Sequence, residues 1–417
     1  MTNYKDKLVK NRRLFLQSAG LGLIGLLSMN SKTWAAAMET LSAGTEFANG
    51  QREMIAYPQK RKLMRITTRP PHLETPFEVF NEGAITPNDA FFVRYHLANI
   101  PLSIDPDTYR LNITGHIDNT LSLSLAELKA LAKPVEVIAV NQCSGNSRGY
   151  SSPRVFGAQL GNGSMGNAKW VGVSVKTVLE KAGVKTVATL VSFNGLDAPV
   201  LPPTSDFIKT LAVDHAMNGE PILAWEMNGE ELPFLNGYPL KLIVPGYYGT
   251  YWVKHVSEIK VLDAPFEGHD SFFMNTAYRV PDNDCLCVPV GTVPSVTKSI
   301  TALKVRSFIT SVQNNQAVKF KHQLALKGIA FDSGSGIKQV QVSADGGTTW
   351  TTTKLGKDLG RFSFREWQLD YIPTQKEAVA LMVKATSNNG ETQPMTATWN
   401  PGGYLRNAVE TIKINIA

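Results

Sequence analysis

From Pro294 to the C-terminus the chain is written in short runs of alternating apolar and polar residues, and that period fixes what this part can fold into. Runs such as Ile337 to Ser343 and Ala378 to Ala385 are separated by turn clusters, Asp332-Ser333-Gly334-Ser335-Gly336 and Asp345-Gly346-Gly347 among them. A period of two sends successive side chains to opposite faces, so each run has one face to bury and one to wet. Many such strands with regular turn punctuation predict a β-sandwich over residues 291–417.

The preceding residues 38–290 read differently. Strand-like runs, Tyr109 to Gly115 and Val135 to Val140, mix with two helical ones. Ser124 to Leu131 opens with a Ser–Glu capping box at Ser124 and Glu127, and Ser174 to Gly183 has Ser at its start and Gly at its end. Long stretches rich in Gly, Pro and Asn lie between them. The expectation is an α+β domain whose loops build one large site, entered by an extended lead-in over 38–75 with little periodicity. A chain of 417 residues is long enough for two such domains, each with its own core.

Residues 1–37 have the layout of an export leader. Arg12 and Arg13 precede an apolar run from Ala19 to Met29 and the small-residue stretch Ala35-Ala36-Ala37. Paired arginines mark the twin-arginine route for folded proteins, and the apolar run is too short to span a bilayer comfortably. The expectation is a periplasmic protein with no membrane span once the leader is removed. The leader also holds most of the charge: the chain carries +7, and residues 1–37 account for about +5 of it. The remaining balance gives no reason to expect a nucleic-acid partner.

The cysteines are three, unlike a disulfide scaffold. Cys285 and Cys287 are separated by Leu286 alone, a spacing that disfavours an unstrained disulfide, so the pair reads as part of an extended structural segment. There is no Cys-x-x-Cys-His, so this chain attaches no c-type haem, and no dinucleotide fingerprint. The seven histidines form no His-x-His pair, which sets aside a multicopper oxidase.

Cys143 is the remaining cysteine. It follows the apolar run Val135 to Val140 and opens the loop Cys143-Ser144-Gly145-Asn146-Ser147-Arg148-Gly149. A thiolate is among the few side chains soft enough for a high-valent transition metal, and a loop of backbone N–H groups and short polar side chains can close around an anionic cofactor.

This loop, Phe91-Phe92-Val93-Arg94-Tyr95-His96, Gly195-Leu196-Asp197, Asn236-Gly237-Tyr238-Pro239-Leu240-Lys241, Trp252-Val253-Lys254, Ala277-Tyr278-Arg279 and Trp399-Asn400-Pro401-Gly402-Gly403-Tyr404-Leu405-Arg406 occur in one order. Together they resemble the sulfite oxidase family of molybdenum enzymes, the bacterial periplasmic sulfite dehydrogenases most closely, over roughly residue 75 to the C-terminus. The resemblance implies a molybdenum–molybdopterin cofactor, a molybdopterin domain and an immunoglobulin-like, dimerisation-type sandwich. It makes Cys143 the metal ligand, Arg94 and Arg406 the cations that hold the oxyanion, and Tyr278 a hydrogen-bond donor to it. His96, Asp197, Asn236, Lys241, Trp252 and Lys254, with Arg94 and Cys143, would hold the cofactor. Vertebrate members carry histidine at Asn236 and arginine at Lys241, and they place an arginine where Gly402 stands here.

The reaction so implied is sulfite and water to sulfate, two protons and two electrons. With no haem on the chain, the electrons go to a separate c-type cytochrome, as acceptor or subunit of a heterodimer, and a homodimer is the other assembly in view. Related enzymes oxidise protein-bound sulfane sulfur, reduce nitrate or repair methionine sulfoxide, and those reactions remain the alternatives.

Overall fold

A computed structural model describes residues 52–417; the leader read at residues 1–37 lies outside them. From residue 52 the extended lead-in is drawn into a sheet. Met54–Ile55, Leu63–Thr67, His72–Glu74 and Val93–Arg94 form a four-stranded antiparallel sheet. Strands this short carry no readable period, and His72–Glu74 pairs with Val93–Arg94, about 20 residues further along the chain.

Two larger sheets follow. In one, Lys209–Ala212, Leu190–Gly195, Val256–Leu262, Leu111–Gly115 and Leu121–Leu123 lie side by side, with Val256–Leu262 parallel to Leu111–Gly115. In the other, Val135–Gln142 pairs with Met165–Ser174, which pairs with Ile222–Met227; Lys241–Ile243 joins the far edge of Ile222–Met227. The two helices expected from capping are present. Ser124 Oγ accepts from Glu127 N at 3.2 Å while Glu127 Oε2 accepts from Ser124 N at 2.9 Å, opening Leu125–Ala130. Helix Val175–Ala182 ends at Gly183, whose φ of 74° lets its N–H reach back to the Leu179 carbonyl at 2.9 Å. Its Val175, Val178, Leu179 and Ala182 are fully buried, at the i, i+3, i+4, i+7 spacing of one helix face.

The C-terminal part is the expected sandwich. Arg306–Ile309, Leu324–Phe331, Arg365–Tyr371 and Lys354–Leu355 form one sheet. Gln316–Val318, Glu410–Ile416, Val379–Ser387, Ile337–Ser343 and Thr351–Thr352 form the other. Leu326, Val340, Trp367, Leu381, Val383 and Ile414 fill the space between them. The turn clusters work as acidic caps: Asp332 Oδ1 accepts from the backbone of Gly334 and Gly336, each at 3.0 Å.

The hairpin of Arg279–Pro281 with Thr297–Ser299 crosses residues 290 and 291, where the change of composition put the domain boundary. A hydrophobic cluster holding Val140, Met165, Tyr278, Phe308, Phe331 and Phe364 draws on both parts of the chain. It seats the sandwich directly against the strand that leads into Cys143.

Cys285 and Cys287 are joined in a disulfide. The expectation of an extended, unbridged segment fails because Leu286 adopts φ 52°, a left-handed turn that brings the two Cα atoms to 5.1 Å.

Candidate active site

Cys143 sits one residue past the end of strand Val135–Gln142 and is the one free thiol among the described residues. Its N–H donates to the Ser164 carbonyl at 2.9 Å and its carbonyl accepts from Asn146 N at 2.9 Å, so the loop turns back on itself beneath the thiol. Ser147, in the left-handed region at φ 70°, continues the turn, and its N–H reaches Gly161 O at 2.6 Å. The thiol faces a cavity.

Nine of the ten side chains singled out from the sequence line that one cavity. Arg94 and His96 come from the strand end Val93–Arg94 and the residues after it. Asp197 follows Leu190–Gly195, Asn236 ends a short turn, and Lys241 begins Lys241–Ile243. Trp252 and Lys254 come from the segment before Val256–Leu262, and Tyr278 precedes the hairpin strand Arg279–Pro281. Elements far apart in sequence therefore deliver their ends to one place, as in loop-built sites on a sheet scaffold.

Arg406 is the exception. Its guanidinium lies 5.8 Å from the Tyr150 ring, in the field of Glu410 and Arg306, and does not line the cavity. Leu405, at φ 61°, donates its N–H to Ser144 O at 3.2 Å and turns the chain so that Tyr404, not Arg406, approaches the site. Tyr404 is 5.5 Å from the Tyr278 ring. The guanidinium of Arg148 stands 4.9 Å over the Tyr404 ring, with Nε donating to Gly402 O at 2.8 Å. Its charge acts on Tyr278 and on His72. Arg148 was not singled out in the sequence, although it lies five residues after Cys143 in the same loop.

The cavity is divided in chemistry. At one end Lys241 is 1% exposed, 4.6 Å from the Trp170 ring, and its Nζ has no hydrogen-bond partner. Burial lowers its ammonium to about 7, with the charge of Lys60 a further cause. Lys60 is itself buried and held at about 7 by the same desolvation; its Nζ donates to Asn236 Oδ1 and to Phe91 O, the latter at 3.1 Å. Lys254 Nζ stands 3.6 Å from the Tyr95 ring and donates to Leu235 O at 2.8 Å. None of these three lysines has a carboxylate within 4.0 Å among the described residues. The Asp197 carboxyl, pushed up to about 6 by burial, is the one acid on the lining.

At the other end, His96 Nε2 is hydrogen-bonded to the Tyr278 hydroxyl, and the His96 ring lies flat against Phe207 at 3.8 Å. Burial, then the charges of Arg94 and Lys209, hold this imidazole well below its usual range, so it is neutral at pH 7. Burial likewise keeps the Tyr278 phenol protonated.

Buried polar atoms without partners test whether a bound group belongs here. Asn141 Oδ1, Ser144 Oγ, Lys241 Nζ and Thr250 Oγ1 are all orphaned, and all four residues line the cavity. Orphaned groups of this kind are costly unless something supplies the missing bonds. Cations and donors at one end, with a free thiol on the same lining, fit a large anionic cofactor that carries a thiolate-binding metal.

Residues 96–270 match the family described as oxidoreductase molybdopterin binding domain, and residues 297–417 match the Mo-co oxidoreductase dimerisation domain. Among named proteins the chain is 33% identical to mitochondrial sulfite oxidase of Macaca fascicularis, over 86% of this chain and 67% of that one. It is 32% identical to the sulfite oxidase of Gallus gallus, over 84% and 78%. Among solved structures it resembles the sulfane dehydrogenase SoxCD from Paracoccus pantotrophus, with a TM-score of 0.71 and 25% identity, over 90% of this chain and 96% of that one.

Proposed function

The chain belongs to the sulfite oxidase family of molybdopterin enzymes, and from that premise we propose that it oxidises sulfite to sulfate at the cavity around Cys143. The observation that carries this reading is the pairing of a free thiol with a guanidinium and a tyrosine hydroxyl on the wall of one cavity whose far end is cationic.

When bound, the molybdenum cofactor supplies the oxygen-atom transfer and takes up the two electrons. Cys143 would ligate the metal through its thiolate. Lys60, Lys241 and Lys254 would neutralise the anionic end of the pterin, and Asp197 would accept from its N–H groups. Arg94 binds the sulfur oxyanion, because a guanidinium fork matches two oxygens and keeps its charge when partly buried. With the hydrogen on Nε2, His96 donates to the Tyr278 oxygen and leaves the phenol's own proton for the oxyanion. Phe92, Phe207 and Trp252 keep bulk water from the space between.

Overall the chemistry is sulfite plus water to sulfate, two protons and two electrons. The chain has no haem motif, so the electrons go to a separate c-type cytochrome. The leader at residues 1–37 sends the protein to the periplasm by the twin-arginine route; replacing Arg12 and Arg13 by lysine should leave precursor in the cytoplasm, and undiminished export would sink that assignment. The sandwich serves homo- or hetero-assembly, which its match to a dimerisation domain supports.

A second reading has two observations in its favour, the first being that the similar solved structure is a sulfane dehydrogenase. Gly402 and Tyr404 also leave the cavity without a second lining arginine. One assay separates the two. Molybdenum-loaded protein should reduce cytochrome c with sulfite alone; turnover only with a protein-bound sulfane would favour the second reading.

A further inference from the structure

Lys209, the first residue of strand Lys209–Ala212, is 2% exposed and, beyond its charge acting on His96, has no part in the function proposed above. Its ammonium donates to the Phe273 carbonyl at 2.5 Å. It lies 4.7 Å from the centre of the Tyr251 ring and 5.3 Å from that of Tyr278. The remaining titratable group that feels it is His96, which it helps to hold neutral. Among the described residues no carboxylate lies within 4.0 Å of it. Asp206, three residues earlier, is taken up by Asn194 Nδ2 at 2.8 Å.

A buried ammonium with one carbonyl, two aromatic faces and no counter-charge is expensive to keep. An apolar side chain would pack between two tyrosines at far lower cost. The position gains its sense when an anion binds at the Tyr278 hydroxyl in the cavity. A cation against the face of a phenol draws electron density from the ring and makes the hydroxyl a stronger donor. It also adds positive potential at the His96–Tyr278 side of the cavity, where a low dielectric leaves charges weakly screened.

We propose that Lys209 is a positioning residue for the oxyanion, acting through Tyr278: it strengthens the phenol's hydrogen bond and holds the Phe273–Tyr278 segment against His96. This rests on the oxyanion reading of the cavity. The same burial that isolates Lys209 lowers its ammonium to about 7, so the effect is present below that pH and fades above it.

Inorganic sulfate, a dianion throughout the range used, is the probe. Its binding to the oxidised, molybdenum-loaded enzyme is measured by titration calorimetry at three pH values, about one unit below, at, and above the Lys209 midpoint. Lys209→Met should bind sulfate about tenfold more weakly than wild type at the lowest pH, with the gap closing at the highest. Lys209→Gln, which keeps a donor for the Phe273 carbonyl but no charge, should follow Lys209→Met. Any titration of Lys241, Lys60 or Asp197 is common to all three proteins and leaves the difference untouched. Molybdenum content and melting temperature are checked alongside. Wild-type affinity in both variants, or a loss equal at all three pH values, overturns the proposal in favour of a purely structural lysine. If wild-type enzyme with full cofactor binds no sulfate at any pH, the oxyanion reading falls, and this proposal with it.

Discussion

His96 and Tyr278 are hydrogen-bonded across 182 residues of chain, Nε2 to hydroxyl, in surroundings that keep the imidazole neutral and the phenol protonated. Tyr278 also carries the unusual backbone of φ 58°. A non-glycine residue held in the left-handed region is uncommon and marks a place where surrounding structure dictates direction. Here the direction aims the phenol into the cavity.

Tyr278→Phe should keep its cofactor and lose turnover. Deleting one hydrogen bond to a charged oxyanion costs about 2 kcal/mol, or roughly thirtyfold in kcat/KM. Steady-state kinetics on protein of matched molybdenum content test this, and an unchanged kcat/KM would remove Tyr278 from the site.

Arg94→Met and Arg406→Met should differ sharply. Arg94 lines the cavity and Arg406 does not. The first change should weaken oxyanion binding by roughly thirtyfold, the value for one charge-assisted contact. The second should alter kcat/KM by less than about threefold. Equal losses would mean that Arg406 swings into the cavity when substrate binds.

Much of the architecture was legible in the chain, for identifiable physical reasons. The alternation of Val340, Gln341 and Val342 in Ile337–Ser343 predicts a strand, and that strand is present at those bounds with Val340 and Val342 buried. Ser124 and Glu127 form both bonds of the capping box. Cys143 stood out because few side chains suit a thiolate-binding metal, whereas the residues that share its cavity were legible only through the resemblance to the sulfite oxidase family. What stayed hidden depends on burial and on contacts distant in sequence. A lysine in a strand, such as Lys209, or after a turn, such as Lys60, has no local mark of being buried. Arg148 lies in a Gly/Ser loop that reads as surface. The left-handed turn at Leu286 runs against the preference of its side chain, so the disulfide beside it could not be expected.

The buried lysines set a pH dependence of stability for the protein without cofactor. Lys60, Lys209 and Lys241 are lowered to about 7 from an ordinary value of 10.5, and Lys254 is lowered as well. Between these limits the unfolded chain binds more protons than the folded one, so stability rises with pH from about 7 towards 10. Below about 7 Lys60, Lys209 and Lys241 are charged in both states and their full penalty applies. The cofactor-free protein should therefore melt higher at about pH 9 than at about pH 7. The loaded protein should show a smaller rise, because an anionic cofactor restores Lys60, Lys241 and Lys254 to their charged forms. Melting curves of both forms check this; parallel rises would deny the three lysines an anion.

The Cys285–Cys287 bridge should be detectable without reduction. Intact protein resists alkylation at both residues until a dithiol is added, which raises the mass by roughly 2 Da for the two hydrogens gained. The closed loop is only three residues long, so losing the bridge should cost no more than roughly 1–2 kcal/mol of stability. Ready alkylation of Cys285 in untreated protein would show the pair to be free.

Cys143→Ser tests the central claim most directly. It replaces a soft thiolate by a hard hydroxyl of nearly the same size, in a loop whose backbone bonds to Ser164 and Asn146 do not involve the sulfur. The measurement is sulfite-dependent cytochrome c reduction, taken together with the molybdenum content of the same samples. Wild type should hold about one molybdenum per chain and turn over sulfite, whereas Cys143→Ser should fold, with a melting temperature near that of wild type, and show no turnover. Sulfite oxidation by the serine variant at the wild-type rate would contradict the account.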